Sequence, residues 1–68
     1  MNNSAKKLGE NIRRIREEKQ MMQIDLCRKL NVDGAYISNI ENGKSNPTLS
    51  TIERIARALD VSVEDLMK

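Results

Sequence analysis

The sequence predicts an all-α fold, a compact bundle of five helices. Three observations point there. Apolar residues recur every three or four positions through most of the chain, the period of a helix with one buried face. No stretch alternates apolar and polar residues as a half-buried strand does. Residues suited to starting or stopping a helix stand at the edges of each periodic run. A chain of 68 residues is read as one small domain over 1–68 with its core at about 8–66, and such a domain buries only roughly 60% of its surface. Cys27 is alone and histidine is absent, so neither a disulfide framework nor a metal site is expected, and no cofactor. Stability must come from helix packing, helped by association of two copies.

The first helix is expected to begin after Asn3 or Ser4, both good N-cap residues, and to end near Lys19 or Gln20. Leu8, Ile12 and Ile15 line its inner face, Glu10 and Arg14 form an i,i+4 pair outside, and Gly9 weakens the first turns slightly. Met21 then turns back into the core. The second helix covers about Gln23 to Leu30. Leu26, Cys27 and Leu30 share a face, Asp25 suits the first turn, and Arg28 and Lys29 suit the last. Asn31 tolerates the left-handed conformation that closes a helix.

Val32 is an apolar plug in the turn, and Asp33 is placed to cap a third helix from about Gly34 to Asn42. Ile37 and Ile40 face inward there, and Gly43 ends it. Lys44 to Pro47 is a polar loop. Thr48 caps a fourth helix from Leu49 to Leu59, with an apolar stripe of Leu49, Ile52, Ile55, Ala56 and Leu59. Asp60 closes it. Ser62 and Asp65 resemble a capping box for a short last helix at about Val63 to Met67.

Charge and composition exclude several classes. There is no apolar run of spanning length and no signal-peptide core, so a soluble, cytoplasmic protein without membrane contact is expected. Tyr36 is the only aromatic residue, too few for a platform that stacks single-stranded nucleic acid. Residues 1–30 hold eight Lys/Arg against four Asp/Glu, whereas residues 31–68 hold four against six. Either these are solvated helix faces, or one end of the molecule meets phosphate and the other does not. Catalysis is not expected: histidine, paired thiols and a glycine-rich phosphate loop are all missing.

Helix, three-residue turn with an apolar plug, helix is the DNA-binding helix-turn-helix pattern. The runs LGENIRRIREEK, QIDLCRKLNV and YISNIENGKSNPTL resemble the lambda-repressor-like, Xre/Cro-type family from about Leu8 to Leu66. That resemblance implies a five-helix bundle whose third helix enters the major groove by its N-terminal part. It also implies a homodimer on an inverted-repeat operator, and transcriptional regulation.

Carried over position by position, the resemblance puts Gln23 at a phosphate, where a helix N-terminus also favours an anion. Asp33, Gly34, Ala35 and Asn39 fall on base-reading positions. Asn39 can bond adenine in a bidentate manner, Ala35 can pack on a thymine methyl, and Asp33 can accept from cytosine N4. Gly34 offers only backbone, so the reading surface is sparse and leans on Tyr36, Ser38, water and DNA shape. Ser38 either contacts DNA or back-bonds within its helix. Tyr36 combines a packed ring with a hydroxyl that reaches phosphate. Asn42, Lys44, Ser45 and Asn46 lie along the DNA backbone, although the same residue types also form ordinary turns. Arg13 and Arg14 are weaker phosphate candidates.

Arg16 and Glu41 match a family ion pair between the first and third helices. Cys27, where relatives have Ala, is read as a small core residue. Gln20 and Asp60 stand where Gly is common, and Met22 replaces a Ser or Thr cap. Met22 with Ile24 forms a small exposed apolar patch. Val61, Val63, Leu66 and Met67 are the candidate dimer contacts. The function expected is a repressor acting on double-stranded DNA. The alternatives are an antitoxin with a toxin partner, a restriction–modification controller, and an interaction module, working with another protein or co-regulator, that has lost DNA binding.

Overall fold

The computed structural model describes residues 4–68; Asn3, one of the two expected caps, lies outside them. The described residues form α1 (Ser4–Glu18), α2 (Gln23–Leu30), α3 (Gly34–Glu41), α4 (Leu49–Leu59) and α5 (Val63–Met67) and contain no strand. α1 packs on α3 and α5, α2 on α3 and α4, and α4 on α5. The core they share is aliphatic: Leu8, Ile12, Ile15, Leu26, Leu30, Ile37, Ile40, Ile52, Ile55, Leu59 and Leu66 are buried, with Cys27 and Ala56 filling the narrower gaps. No helix is long and apolar enough to cross a membrane.

Four helices close in one way. After each, a residue takes the left-handed conformation, with φ 58° at Gln20, 59° at Asn31, 73° at Gly43 and 59° at Asp60. The next N–H then returns to a carbonyl five residues back: Met21 to Arg16, Val32 to Cys27, Lys44 to Asn39 and Val61 to Ala56, at 2.8–3.0 Å. This motif usually carries an apolar residue at the returning position, where it packs on the helix just ended. Met21, Val32 and Val61 do so, packed against the core. Lys44 is the exception: after α3 the returning residue is an exposed cation. Asn31 and Asp60 suit the left-handed region through their short polar side chains. Gln20 has no such advantage, and its positive φ is a local strain that glycine would avoid.

The helix starts are less uniform. Thr48 accepts the Thr51 N–H at 3.2 Å. Ser62 and Asp65 form the expected reciprocal box: the Asp65 N–H donates to Ser62 Oγ at 3.1 Å and the Ser62 N–H donates to the Asp65 carboxylate at 3.2 Å. Hydrogen bonding from the Ser62 backbone, then from its side chain, holds the Asp65 carboxyl below the usual carboxylate range. At α2, Met22 has no oxygen to offer, but its N–H donates to the Asp25 carboxylate at 2.8 Å, which preserves half of a capping box.

Three expectations need correction. Asp33 has the backbone of an N-cap but its carboxylate accepts no bond from α3; its carbonyl closes the first turn instead, accepting the Tyr36 N–H at 3.1 Å. Leu49 is 63% exposed, because the first turn of α4 emerges from the polar loop before the core begins. Glu10 does not pair with Arg14, which instead reaches down the helix to Glu18 at 3.5 Å and to Asn11 at 3.2 Å.

Candidate nucleic-acid interface

α3 is held from behind by an ionic network. The Arg16 guanidinium meets the Glu41 carboxylate with two bonds, Nε to Oε2 at 2.7 Å and Nη2 to Oε1 at 3.1 Å. Both side chains are buried. The remaining arm of Arg16 donates to the Met21 carbonyl at 2.7 Å. Gln23 Nε2 donates to the same Glu41 Oε1 at 3.0 Å. One carboxylate thus joins α1, the α1–α2 turn, the start of α2 and the end of α3. The hydrogen bond to Glu41 raises the Arg16 pKa above its already high ordinary value, so the guanidinium stays charged. A fork-to-fork contact of this kind fixes geometry more than it adds net stability.

Gly9 completes the grip. A Cβ there would stand 2.3 Å from the Ile40 carbonyl oxygen and 2.6 Å from that of Glu41. The glycine lets α1 approach the α3 backbone more closely than any side chain permits.

The opposite surface of α3 is open. Asp33, Gly34, Ala35 and Asn39 are exposed and Ser38 is half-buried. Apart from its chain neighbours and the backbone of its own helix, nothing lies within 4 Å of where a Gly34 Cβ would be. The Ser38 hydroxyl accepts the Asn42 amide at 3.4 Å, which links a base-reading candidate to a phosphate candidate. Tyr36 is 38% exposed, and its hydroxyl donates to Thr51 Oγ1 at 3.5 Å. Thr51 is 3.1 Å from Thr48 Oγ1, so a short hydroxyl chain runs from α3 to the start of α4. Lys44, Ser45 and Asn46 are exposed in the loop beyond.

The turn before α3 is tied down as well. Cys27 is buried and its S–H donates to the Asp33 carbonyl at 3.6 Å. Burial pushes the thiol pKa up, so it remains protonated and behaves as a small core group. Arg54 donates to the Leu30 carbonyl at 2.7 Å, closing the end of α2.

Of the dimer candidates, Val61 and Val63 are half-buried and Met67 is 52% exposed. Leu66 is different. It is fully buried in its own chain's core, which leaves no surface for a second copy. Met22 and Ile24 are both exposed. Arg13 pairs with Glu17 at 3.4 Å on the outer face of α1.

Sequence reasoning missed Gly9 as a packing position, Asn11 and Thr51. Asn11 is buried; its amide donates to the Leu66 carbonyl at 2.8 Å and so ties α5 to α1. Its signal was its place between Leu8 and Ile12 on the inner side of an amphipathic helix, where an uncharged amide needs a partner.

Five helices, with α2 and α3 joined by residues 31–33 and the start of α3 exposed, define a helix-turn-helix module. The chain belongs to the helix-turn-helix family, of lambda-repressor-like, Xre/Cro type: the family model matches residues 12–66. It is 37% identical over 60 residues to the immunity repressor protein of Bacillus phage phi105, covering 88% of this chain and 42% of that one. It is 39% identical over 67 residues to the control protein C.BamHI of Bacillus amyloliquefaciens, covering 97% of this chain and 83% of the relative. It also superposes on the restriction–modification controller protein C.Esp1396I, solved as a tetramer in complex with its natural 35 base-pair operator. The TM-score there is 0.83, with 34% identity and full coverage of both chains. The chain thus spans less than half of the phage repressor and most of the control protein.

Proposed function

We propose that the chain is a sequence-specific regulator of transcription, a repressor that binds double-stranded operator DNA as a homodimer and performs no catalysis. The observation that carries this is the contrast across α3: a back fixed by the Arg16–Glu41–Gln23 network, and a front left exposed from Asp33 to Asn39. A helix held rigidly from behind and bare in front suits insertion into the major groove. On this reading Asn39 reads adenine, Ala35 packs on a thymine methyl, and Asp33 and Ser38 contact neighbouring edges. Gln23, Tyr36, Asn42, Lys44, Ser45 and Asn46 set the register on the phosphates. Val61, Val63 and Met67 meet the second copy. Its working compartment is the cytoplasm, and 1–68 acts as one domain.

The test is selection of bound duplexes from a random pool. An inverted repeat with half-sites about one helical turn apart, ~34 Å, is the expected result. No enrichment of any sequence would overturn the reading in favour of an interaction module. A second reading, control of a restriction–modification operon, is supported by the match to control proteins along most of their length. It differs in predicting activation as well as repression from the selected site in a reporter assay.

A further inference from the structure

Among the residues that the sequence places on phosphate, Lys44 is the only cation besides the weaker candidates Arg13 and Arg14. We infer that Lys6, on the first turns of α1, is a second phosphate-binding cation that acts beside Lys44 on the same stretch of DNA backbone; this rests on the DNA-binding reading above. The contact that brings them together is at Gly43. A Cβ on Gly43 would stand 2.9 Å from Lys6 Cα and 3.3 Å from Lys6 Cβ and N. The backbone of α1 therefore lies directly against the residue that closes α3, and Lys44 is the next residue.

Three further features point the same way. Lys6 is exposed and enters no ion pair among the described residues, whereas Arg13, Arg14 and Arg16 on the same helix are all paired with glutamates. α1 carries no acidic residue in its first turn, so its positive helix end adds to the lysine instead of opposing it. And Lys44 occupies the helix-closing position where α1, α2 and α4 bring an apolar residue onto the core. A charge kept out at that position, with a second beside it, is the arrangement a phosphodiester backbone attracts.

The register of α1 explains how this serves α3. Lys6, Gly9 and Arg16 fall on one helical face. Gly9 abuts the Ile40 and Glu41 carbonyls, Arg16 holds Glu41 and through it Gln23, and Lys6 abuts Gly43. α1 therefore connects the Gln23 end of the interface to the Lys44 end.

The experiment compares wild type, Lys6→Gln, Lys6→Arg and Lys7→Gln for binding to the selected duplex and to a random-sequence duplex over a salt series. Lys7 removes the same charge from the adjacent position, which lines a shallow cavity with Ser4, Leu8 and Met67 on the α5 side. Lys6→Gln should weaken binding to both duplexes by about fivefold at physiological salt and reduce the slope of log K against log salt by about 0.9. Lys6→Arg should retain the wild-type slope, and Lys7→Gln should stay close to it. Equal losses for Lys6→Gln and Lys7→Gln would reduce the effect to net charge and overturn the assignment. So would an unchanged slope in Lys6→Gln. If wild type bound no duplex at all, the functional reading would fail first, and this inference with it.

Discussion

The two faces of α3 differ in almost every respect. The rear face has bidentate bonds, buried side chains and a glycine contact with no spare space. The front presents Gly34, around which nothing stands, and an Asp33 carboxylate that makes no capping bond. Ile37 and Ile40 complete the rear by entering the core. The lesson is a division of labour within eight residues: one face fixes where the helix lies, and the other is left free to decide what it touches. Substitutions on the first should change stability, and substitutions on the second should change specificity.

The largest expected effect lies on the rear face. Glu41→Ala strands a buried guanidinium and frees Gln23, so it should cost about 3–5 kcal/mol, measured by urea denaturation. A loss under 1 kcal/mol would mean that Arg16 escapes to solvent and that the network is not what holds α3.

Gly9→Ala comes next. Alanine favours a helix over glycine by about 1 kcal/mol, but here its methyl meets two backbone carbonyls that cannot swing aside. Over-packing should prevail, with a net loss of about 1–3 kcal/mol and a lower melting temperature. A stabilised Gly9→Ala protein would show that α1 and α3 can separate without harm.

On the front face, Asn39→Ala should leave the melting temperature within a degree or so, since Asn39 is exposed. It should relax the preference at one base pair of each half-site by about 1–3 kcal/mol. Profiling single-base variants of the operator would show it; a uniform loss across all positions would instead mark Asn39 as a phosphate contact.

The smallest effect runs in the opposite direction. Gly34→Ala should stabilise the fold by about 0.5–1 kcal/mol, because the new methyl meets nothing and the chain loses freedom only when unfolded. Destabilisation would mean that the first turn of α3 depends on glycine.

The same contrast explains what was legible in the sequence. Features set by local chemistry could be read directly: the Thr48 cap, the Ser62–Asp65 box, the left-handed Asn31 and the inward Ile37 and Ile40 all follow from residue type and spacing. Features set by what packs opposite could not. Gly9 looked like a weak helix former because its role belongs to carbonyls some thirty residues away. Leu49 continued a helical stripe beyond the point where any neighbour covers it. Leu66 was apolar enough for either a core or a dimer contact, and only the bundle geometry decides between them. Asp33 had the right type for a cap, yet its carbonyl took that place. The resemblance of whole segments, more than any periodicity, was what carried the Arg16–Glu41 pairing across a gap of 25 residues.

The open space around Gly34 has a consequence for how such a protein changes over time. A newly arising side chain at that position meets no neighbour, so it need not be accommodated by a second, compensating mutation elsewhere. Most residue types would also be better helix formers than the glycine they replace. If α3 reads operator bases as proposed, variants with new operator preferences are reachable in single steps from a chain that keeps its fold, and a library built at this one position should yield folded proteins almost throughout.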